Sequence, residues 1–206
     1  MKLNNFDYFY LGLPLILWPL SFIVLSNYFI YAMSASTFIL ATLTLLKHKE
    51  LIILHKNSIK KTIIVGIIGA VILYIIFLLG YYLSILTGNV IYVKEIYSLI
   101  YSQANRIALI ILLAVIGISE EIYWRSGVQG IIRKKSKLFR KLPWLGSSIF
   151  YGLIHISTLN PVLVLAAFFV GLITSIIAEK YGILGSSIVH VAWIEAIIIF
   201  LPVIML

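Results

Sequence analysis

The sequence contains no cysteine, which excludes disulfide bonds, thiolate nucleophiles and metal sites with cysteine ligands. Charge is also scarce: only 11% of the 206 residues are Asp, Glu, Lys or Arg, against about a quarter in an ordinary soluble domain. Hydrophobic side chains make up 62% of the chain, and so few charges could not cover a soluble core of that size. We therefore expect an all-α integral membrane protein whose outer surface faces lipid.

Acidic residues are the scarcer charge, with 7 Asp and Glu against 16 Lys and Arg and a net charge of +9. Most of the basic residues lie in two short polar interruptions. These are Lys47, Lys49, Lys56, Lys60 and Lys61 in the first, and Arg133, Lys134, Lys135, Lys137, Arg140 and Lys141 in the second. Short cytoplasmic loops retain Lys and Arg in this way. The pattern predicts membrane lipids rather than nucleic acid as partners, through attraction to anionic head groups.

A helix needs about 20 mostly apolar residues to cross a bilayer. By that measure we expect about seven transmembrane spans, at 8–26, 28–46, 62–86, 104–124, 143–158, 161–179 and 183–205. The first two are separated only by Ser26 and Asn27, so either a tight hairpin or one kinked helix fits. Residues 88–103 predict a short extracytoplasmic segment, with a helix lying at the interface through its tyrosines.

We expect one membrane-embedded domain over 1–206. Residues 1–103 would supply N-terminal apolar helices with a cytoplasmic basic loop near 47–61, and 104–200 would form the core with the functional motifs. With both basic loops in the cytoplasm, the N-terminus with Lys2 lies inside and Leu206 outside. His48 and His55 belong to the first basic loop and are assigned no role.

Ionisable residues inside apolar spans are informative, because each costs roughly 3 kcal/mol or more in hydrocarbon. Those in this chain are Arg106, Glu120, Glu121, Arg125, His155, His190 and Glu195. All lie in the C-terminal half. Three separate predicted helices contribute the carboxylate pair and the two histidines, so these groups could converge on one polar cavity.

Glu121 and Arg125 are four residues apart on a predicted helix, so their side chains can pair. Glu120 points about 100° away on the same helix and is left without that partner, which suits a general base. The alternative is that all three residues end the helix at the cytoplasmic interface, with Arg125 reaching the head groups.

His155 follows Tyr151 by one helical turn, and His190 follows a run of small residues that allows close helix packing. Each histidine alone fits a hydrogen bond between helices. Together with Glu120 they could activate water and bind the oxyanion formed during attack on a carbonyl. The same three residues could instead hold zinc, although the H-E-x-x-H pattern is absent.

These residues, in this order, resemble the CAAX protease and bacteriocin-processing family of intramembrane proteases, also called the Abi family. Its E-E-x-x-x-R motif is matched by Glu120, Glu121 and Arg125. Its F-x-x-x-H motif is matched at His155, with Tyr151 in place of Phe. The third motif is a His followed four residues later by Asn or Asp. His190 matches the His, but Ile194 stands at the fourth position and Glu195 comes next.

The resemblance implies an intramembrane endopeptidase that cleaves a membrane-associated peptide or protein, in a bacterial cell membrane. Glu120 and His155 would activate water, Glu121 and Arg125 would brace the site, and His190 would stabilise the oxyanion. Tyr151 and Glu195 are supporting candidates, the latter if the helix is locally distorted. The resemblance leaves open whether zinc or no cofactor is used.

Two other functions fit the residues. A non-catalytic relative could bind a membrane partner in bacteriocin immunity or regulation, which the Ile194 replacement favours. A small transporter could use Glu120 and the histidines as a proton relay. For Glu120 and His155 to meet, we further expect the second basic loop to continue as an interfacial helix and the next span to begin near Gly146.

Overall fold

The computed structural model describes residues 3–54 and 56–205, which form helices joined by short connections and contain no strand. The α-helices are α1 Asn5–Gly12, α2 Pro14–Pro19, α3 Phe29–Lys47, α4 Ile59–Leu86, α5 Val90–Tyr101, α6 Arg106–Glu121, α7 Gln129–Lys135, α8 Pro143–Ile154 and α9 Pro161–Glu195. The predictions for Lys2, His55 and Leu206 fall outside the described residues.

Five helical stretches within these residues are long and apolar enough to cross a membrane. They are Asn5–Val24, Ser26–Lys47, Ile59–Leu86, Arg106–Lys135 and Pro161–Met205. The predicted all-α membrane bundle is confirmed, whereas the count differs from seven. The predicted span 143–158 is a 12-residue helix followed by a 3₁₀ turn. Both predicted C-terminal spans lie within the stretch Pro161–Met205, on either side of a break in α9 at Gly182.

The two N-terminal spans form an antiparallel hairpin. Near its open end the Tyr10 hydroxyl and Thr44 Oγ1 lie 2.6 Å apart, and close to the turn the Phe22 and Phe29 rings are 4.6 Å apart. Of the two arrangements that fit the sequence, the hairpin is therefore the one adopted. The first helical segment of this hairpin ends in a π turn, Leu20–Val24, directly after Pro19.

The helix that carries the carboxylate pair is longer than predicted. It was expected to end at 124, but α6 continues through a π turn, Ile122–Val128, into α7. Tyr123, Trp124 and Val128 are fully buried, so the continuation is held by packing, and the basic residues begin only in the last turn of α7. Glu120 consequently lies in the middle of a long helix rather than at its end.

The start of α8 differs slightly from the prediction. The second basic loop is helical through Lys135, but the next helix begins at Pro143 rather than near Gly146. Proline suits the first turn of a helix because its missing N–H would have no intrahelical partner there.

The long helix α9 is broken at Gly182, where φ is 78° and ψ is −174°. Its first arm, 161–181, places Ser175 against Arg125, whereas the arm that follows, 183–195, places His190 against Glu121. The first arm therefore follows the direction of α6 into α7, and the second arm runs back along α6. The predicted division between 161–179 and 183–205 corresponds to this reversal.

The first basic loop covers the break. The backbone N–H groups of Ile183 and Leu184 donate to the carbonyls of Ile53 and Leu54, each over 2.9 Å. The Lys56 ammonium group donates over 2.6 Å to the Glu179 carbonyl at the end of the first arm. Backbone groups at helix ends have no intrahelical partners, so this loop satisfies groups that the break would leave unpaired.

The segment between α4 and α6 forms the predicted helix, α5. Two of its tyrosines, the buried Tyr97 and the exposed Tyr101, bond to the C-terminal π turn, Ala196–Phe200. The Tyr97 hydroxyl donates over 2.7 Å to the Ile197 carbonyl, and the Tyr101 hydroxyl donates to the Ile198 carbonyl. These contacts anchor the end of the chain just beyond α9.

Replacing Gly182 with Ala tests the reversal. The backbone conformation at Gly182 is essentially restricted to glycine, so a Cβ should destabilise the protein by about 1–3 kcal/mol. The measurement is thermal unfolding of the purified protein in detergent. Gly80→Ala is the control, because a Cβ there meets no atom within 4 Å. An equal unfolding midpoint for the two variants would contradict the assigned break.

Candidate active site

The carboxylate pair is buried in the centre of the bundle. Glu120 is 3% exposed and Glu121 is fully buried, on the part of α6 that contacts both α3 and α9. A buried charge is tolerated only when it is paired and hydrogen-bonded. The partners of these two side chains therefore define what each can do.

Glu121 forms the predicted pair with Arg125, whose Nε donates to Glu121 Oε2 over 3.1 Å. The guanidinium Nη1 also donates to Ser175 Oγ over 2.7 Å and to Ser147 Oγ over 3.2 Å. Arg125 lies within the π turn after α6, a geometry often found at functional sites. The pair is neutral as a unit and is fixed to α8 and α9 by the two serines.

His190 completes the surroundings of the carboxylates. Its Nδ1 lies 2.9 Å from Glu121 Oε1, and its Nε2 lies 3.8 Å from Glu120 Oε2. Because an ionised carboxylate only accepts hydrogen bonds, Nδ1 carries the proton and donates it to Glu121. The ring thus directs Nε2 at Glu120.

Tyr151, which replaces the phenylalanine of the family motif, contributes a polar contact that phenylalanine could not make. Its hydroxyl donates to Glu120 Oε2, and its ring lies 5.4 Å from the Arg125 guanidinium carbon. Tyr151 therefore joins α8 to the charged centre of α6. Glu120 Oε1 makes no hydrogen bond to the residues described here, so one oxygen is left for another partner.

His155 is linked to this cluster through Tyr151. It begins the 3₁₀ turn after α8, and its Nδ1 lies 2.8 Å from the Tyr151 carbonyl oxygen. Its Nε2 accepts a hydrogen bond of 3.0 Å from the Trp18 indole. The sequence predicts that His155 acts beside Glu120. In the structure both residues bond to Tyr151, Glu120 through its hydroxyl and His155 through its carbonyl.

Glu195, a supporting candidate, has no side-chain hydrogen bond or ion pair to any described residue. It is the last residue of α9, and the helix changes to a π turn immediately after it. Glu195 could take the place of the missing Asn or Asp only if the helix were distorted before it. The π turn begins one residue after Glu195, at Ala196. Ile194, at the motif position itself, packs against the hydrophobic core.

Sequence reasoning did not identify three residues that complete the site: Trp18, Ser147 and Ser175. A buried tryptophan usually finds an acceptor for its indole N–H, which is a signal for Trp18 but does not name its partner. The serines look like the small residues found at any close helix contact. Their role follows only from the helix packing that directs them at Arg125.

The proposed zinc ligands do not form a metal site. Across residues 3–54 and 56–205, no three His, Asp or Glu side chains lie close enough to bind one ion. His155 Nε2 is occupied by the Trp18 indole, and His190 Nδ1 is occupied by Glu121. The arrangement fits acid–base chemistry of the side chains themselves.

Comparison with known families agrees with these motifs. Residues 102–194 match the family model described as type II CAAX prenyl endopeptidase Rce1-like. The match covers a little under half of the chain and includes Glu120, Glu121, Arg125, Tyr151, His155 and His190. Comparisons with curated proteins and with solved structures gave no match. The resemblance predicted from the motifs is confirmed: residues 102–194 are similar to the Rce1-like family of CAAX prenyl endopeptidases.

Proposed function

We propose that this protein is an intramembrane endopeptidase that hydrolyses a peptide bond in a membrane-associated peptide or protein. The observation that carries the proposal is that the two buried carboxylates have different partners. Glu121 is neutralised by Arg125, whereas Glu120 faces His190 and retains one oxygen without a hydrogen bond. A dry site with one free carboxylate is suited to activating water.

Glu120 is the proposed general base. Its Oε2 is held by the Tyr151 hydroxyl, which fixes the carboxylate while Oε1 accepts a proton from water. As the water oxygen bonds to the substrate carbonyl carbon, that proton passes to Glu120. When the C–N bond breaks, Glu120 returns the proton to the leaving amine, so the carboxylate is regenerated.

His190 is the proposed oxyanion donor. Glu121 accepts a hydrogen bond from the Nδ1–H of His190. This bond orients the ring in the way that carboxylates orient catalytic imidazoles. With a second proton on Nε2, the ring could donate to the oxyanion that forms beside Glu120. Such donors stabilise the transition state most effectively when they are oriented in advance and shielded from water.

The surroundings of the site support an apolar, membrane-bound substrate. An open groove of about 570 Å³ runs between α8 and the first arm of α9. It is lined almost wholly by apolar side chains, among them Leu153, Val164 and Phe168, and it includes Gly152 beside Tyr151. Such a groove could hold an apolar segment of the substrate, although neither carboxylate lines it. The proposal also places the protein in a bacterial cell membrane with its N-terminus in the cytoplasm.

A non-catalytic role in immunity or regulation is the second candidate. Ile194 provides no hydrogen bond at the position where the family has Asn or Asp. Both nitrogens of His155 are also occupied by protein groups. A relative that only binds a membrane partner would retain the packed charge pair without needing these groups to be free.

The first test replaces Glu120 with Gln, which keeps the shape but removes the base. Cleavage should fall by about 10²-fold to 10⁴-fold, the usual contribution of a general base. The measurement is hydrolysis of quenched CAAX peptides, with and without a farnesyl group, by the full chain in nanodiscs. Peptides released from host membranes provide a second readout that assumes no substrate.

Glu50→Gln is the matched control, because the same change is made on an exposed side chain of the basic loop. It should leave cleavage unchanged. Cleavage by Glu120→Gln at the rate of the unmodified protein would exclude the proposed mechanism, and loss of cleavage in both variants would exclude a specific role for Glu120.

The second test restores the third motif with Ile194→Asn. Losing one oxyanion donor costs roughly 10²-fold to 10³-fold in other hydrolases, so adding an amide four residues after His190 should raise the cleavage rate by at least about tenfold. Ile194→Ala is the control, since it removes the same apolar side chain without adding a donor. Equal rates for the two variants would show that position 194 does not limit catalysis.

A further inference from the structure

Trp18 lies in the N-terminal hairpin, far outside the family match, yet its side chain is fully buried against the proposed site. Its indole Nε1 donates to His155 Nε2 over 3.0 Å, and the two rings meet edge to face at 5.9 Å. Tryptophan has only a donor. The contact therefore requires an unprotonated Nε2 on His155.

The other nitrogen of His155, Nδ1, must be protonated. Nδ1 lies 2.8 Å from the Tyr151 carbonyl oxygen, and a carbonyl only accepts hydrogen bonds. Nδ1 therefore carries the proton of a neutral imidazole. With one nitrogen donating to Tyr151 and the other accepting from Trp18, the tautomer is fixed and no lone pair is free.

We infer that Trp18 is a positioning residue whose hydrogen bond keeps Nε2 of His155 from accepting a proton. His155 can accept a proton from water at Nε2 only after the Trp18 indole has moved away. The bond from Nδ1 to Tyr151 keeps the ring oriented when that happens. The inference rests on the proposed hydrolysis and adds to it a proton-accepting role for His155 beside Glu120, whereas the occupied tautomer itself does not depend on that function.

The α-helical hydrogen bonding of the hairpin is interrupted directly after Trp18. Pro19 follows directly and has no N–H to donate, and the π turn Leu20–Val24 comes next. On the other side of Trp18, Leu15 and Ile16 are exposed on the outer surface of the bundle.

The hydrogen bond is tested by nuclear magnetic resonance on the full chain, labelled with ¹⁵N-histidine, in nanodiscs. His155→Gln identifies the His155 imidazole signals. Trp18→Phe should move the Nε2 signal toward that of an unbonded lone pair while Nδ1 stays protonated. Trp124→Phe is the matched control: Trp124 is equally buried in the same aromatic cluster, but its Nε1 bonds to none of the described residues.

A His155 signal unchanged by Trp18→Phe, or changed equally by both variants, would overturn the inference. The second arm measures cleavage of the farnesylated CAAX peptide. Freeing Nε2 should raise kcat about fivefold with little change in KM, because fivefold corresponds to one neutral hydrogen bond of about 1 kcal/mol. Trp124→Phe should give no acceleration.

The two arms separate failure of the inference from failure of the proposed function. A changed His155 signal without acceleration by Trp18→Phe, in a preparation that Glu120→Gln inactivates, would overturn the control by Trp18 and leave the peptidase intact. Cleavage that is insensitive to Glu120→Gln would overturn the peptidase, and the control of His155 with it. A changed signal together with acceleration supports both.

Discussion

The burial of Glu121 is the constraint on which the site depends. A fully buried carboxylate must have its charge balanced and its oxygens bonded, and here Arg125 takes one oxygen and His190 the other. Removing one partner of a buried ion pair typically costs about 3–5 kcal/mol. The two requirements fix the rotation of α6 and the register of the second arm of α9, and they leave the neighbouring Glu120 as the carboxylate whose bonding is incomplete.

Much of this could be predicted because the relevant signals are local or compositional. The scarcity of charge indicates a membrane bundle and makes each buried acid or histidine conspicuous. The spacing of Glu121 and Arg125 predicts their pairing, since four residues make one helical turn. That His190 approaches both carboxylates follows the expectation of a shared cavity, although the histidine and Glu121 are 69 residues apart in the chain.

Other features depend on packing that a single sequence does not encode locally. Charged residues at 120–125 look like the end of a span, because only tertiary partners such as Ser147 and Ser175 make a charge tolerable in mid-helix. Trp18 stands in an apolar run where tryptophan is unremarkable, and its contact with His155 lies 137 residues away. Likewise, replacing the motif phenylalanine by Tyr151 reads as a conservative change until its hydroxyl is seen on Glu120.

The hairpin formed around Gly182 also bears on the order in which the protein becomes functional during synthesis. Chains are made and begin to fold from the N-terminus, so the carboxylates on α6 enter the membrane before the arm that carries His190. Until that arm reverses at Gly182 and the basic loop covers it, Glu121 lacks one of its partners and Glu120 faces no imidazole. A nascent chain therefore holds both carboxylates without His190, and the proposed site is complete only when the last helix is in place.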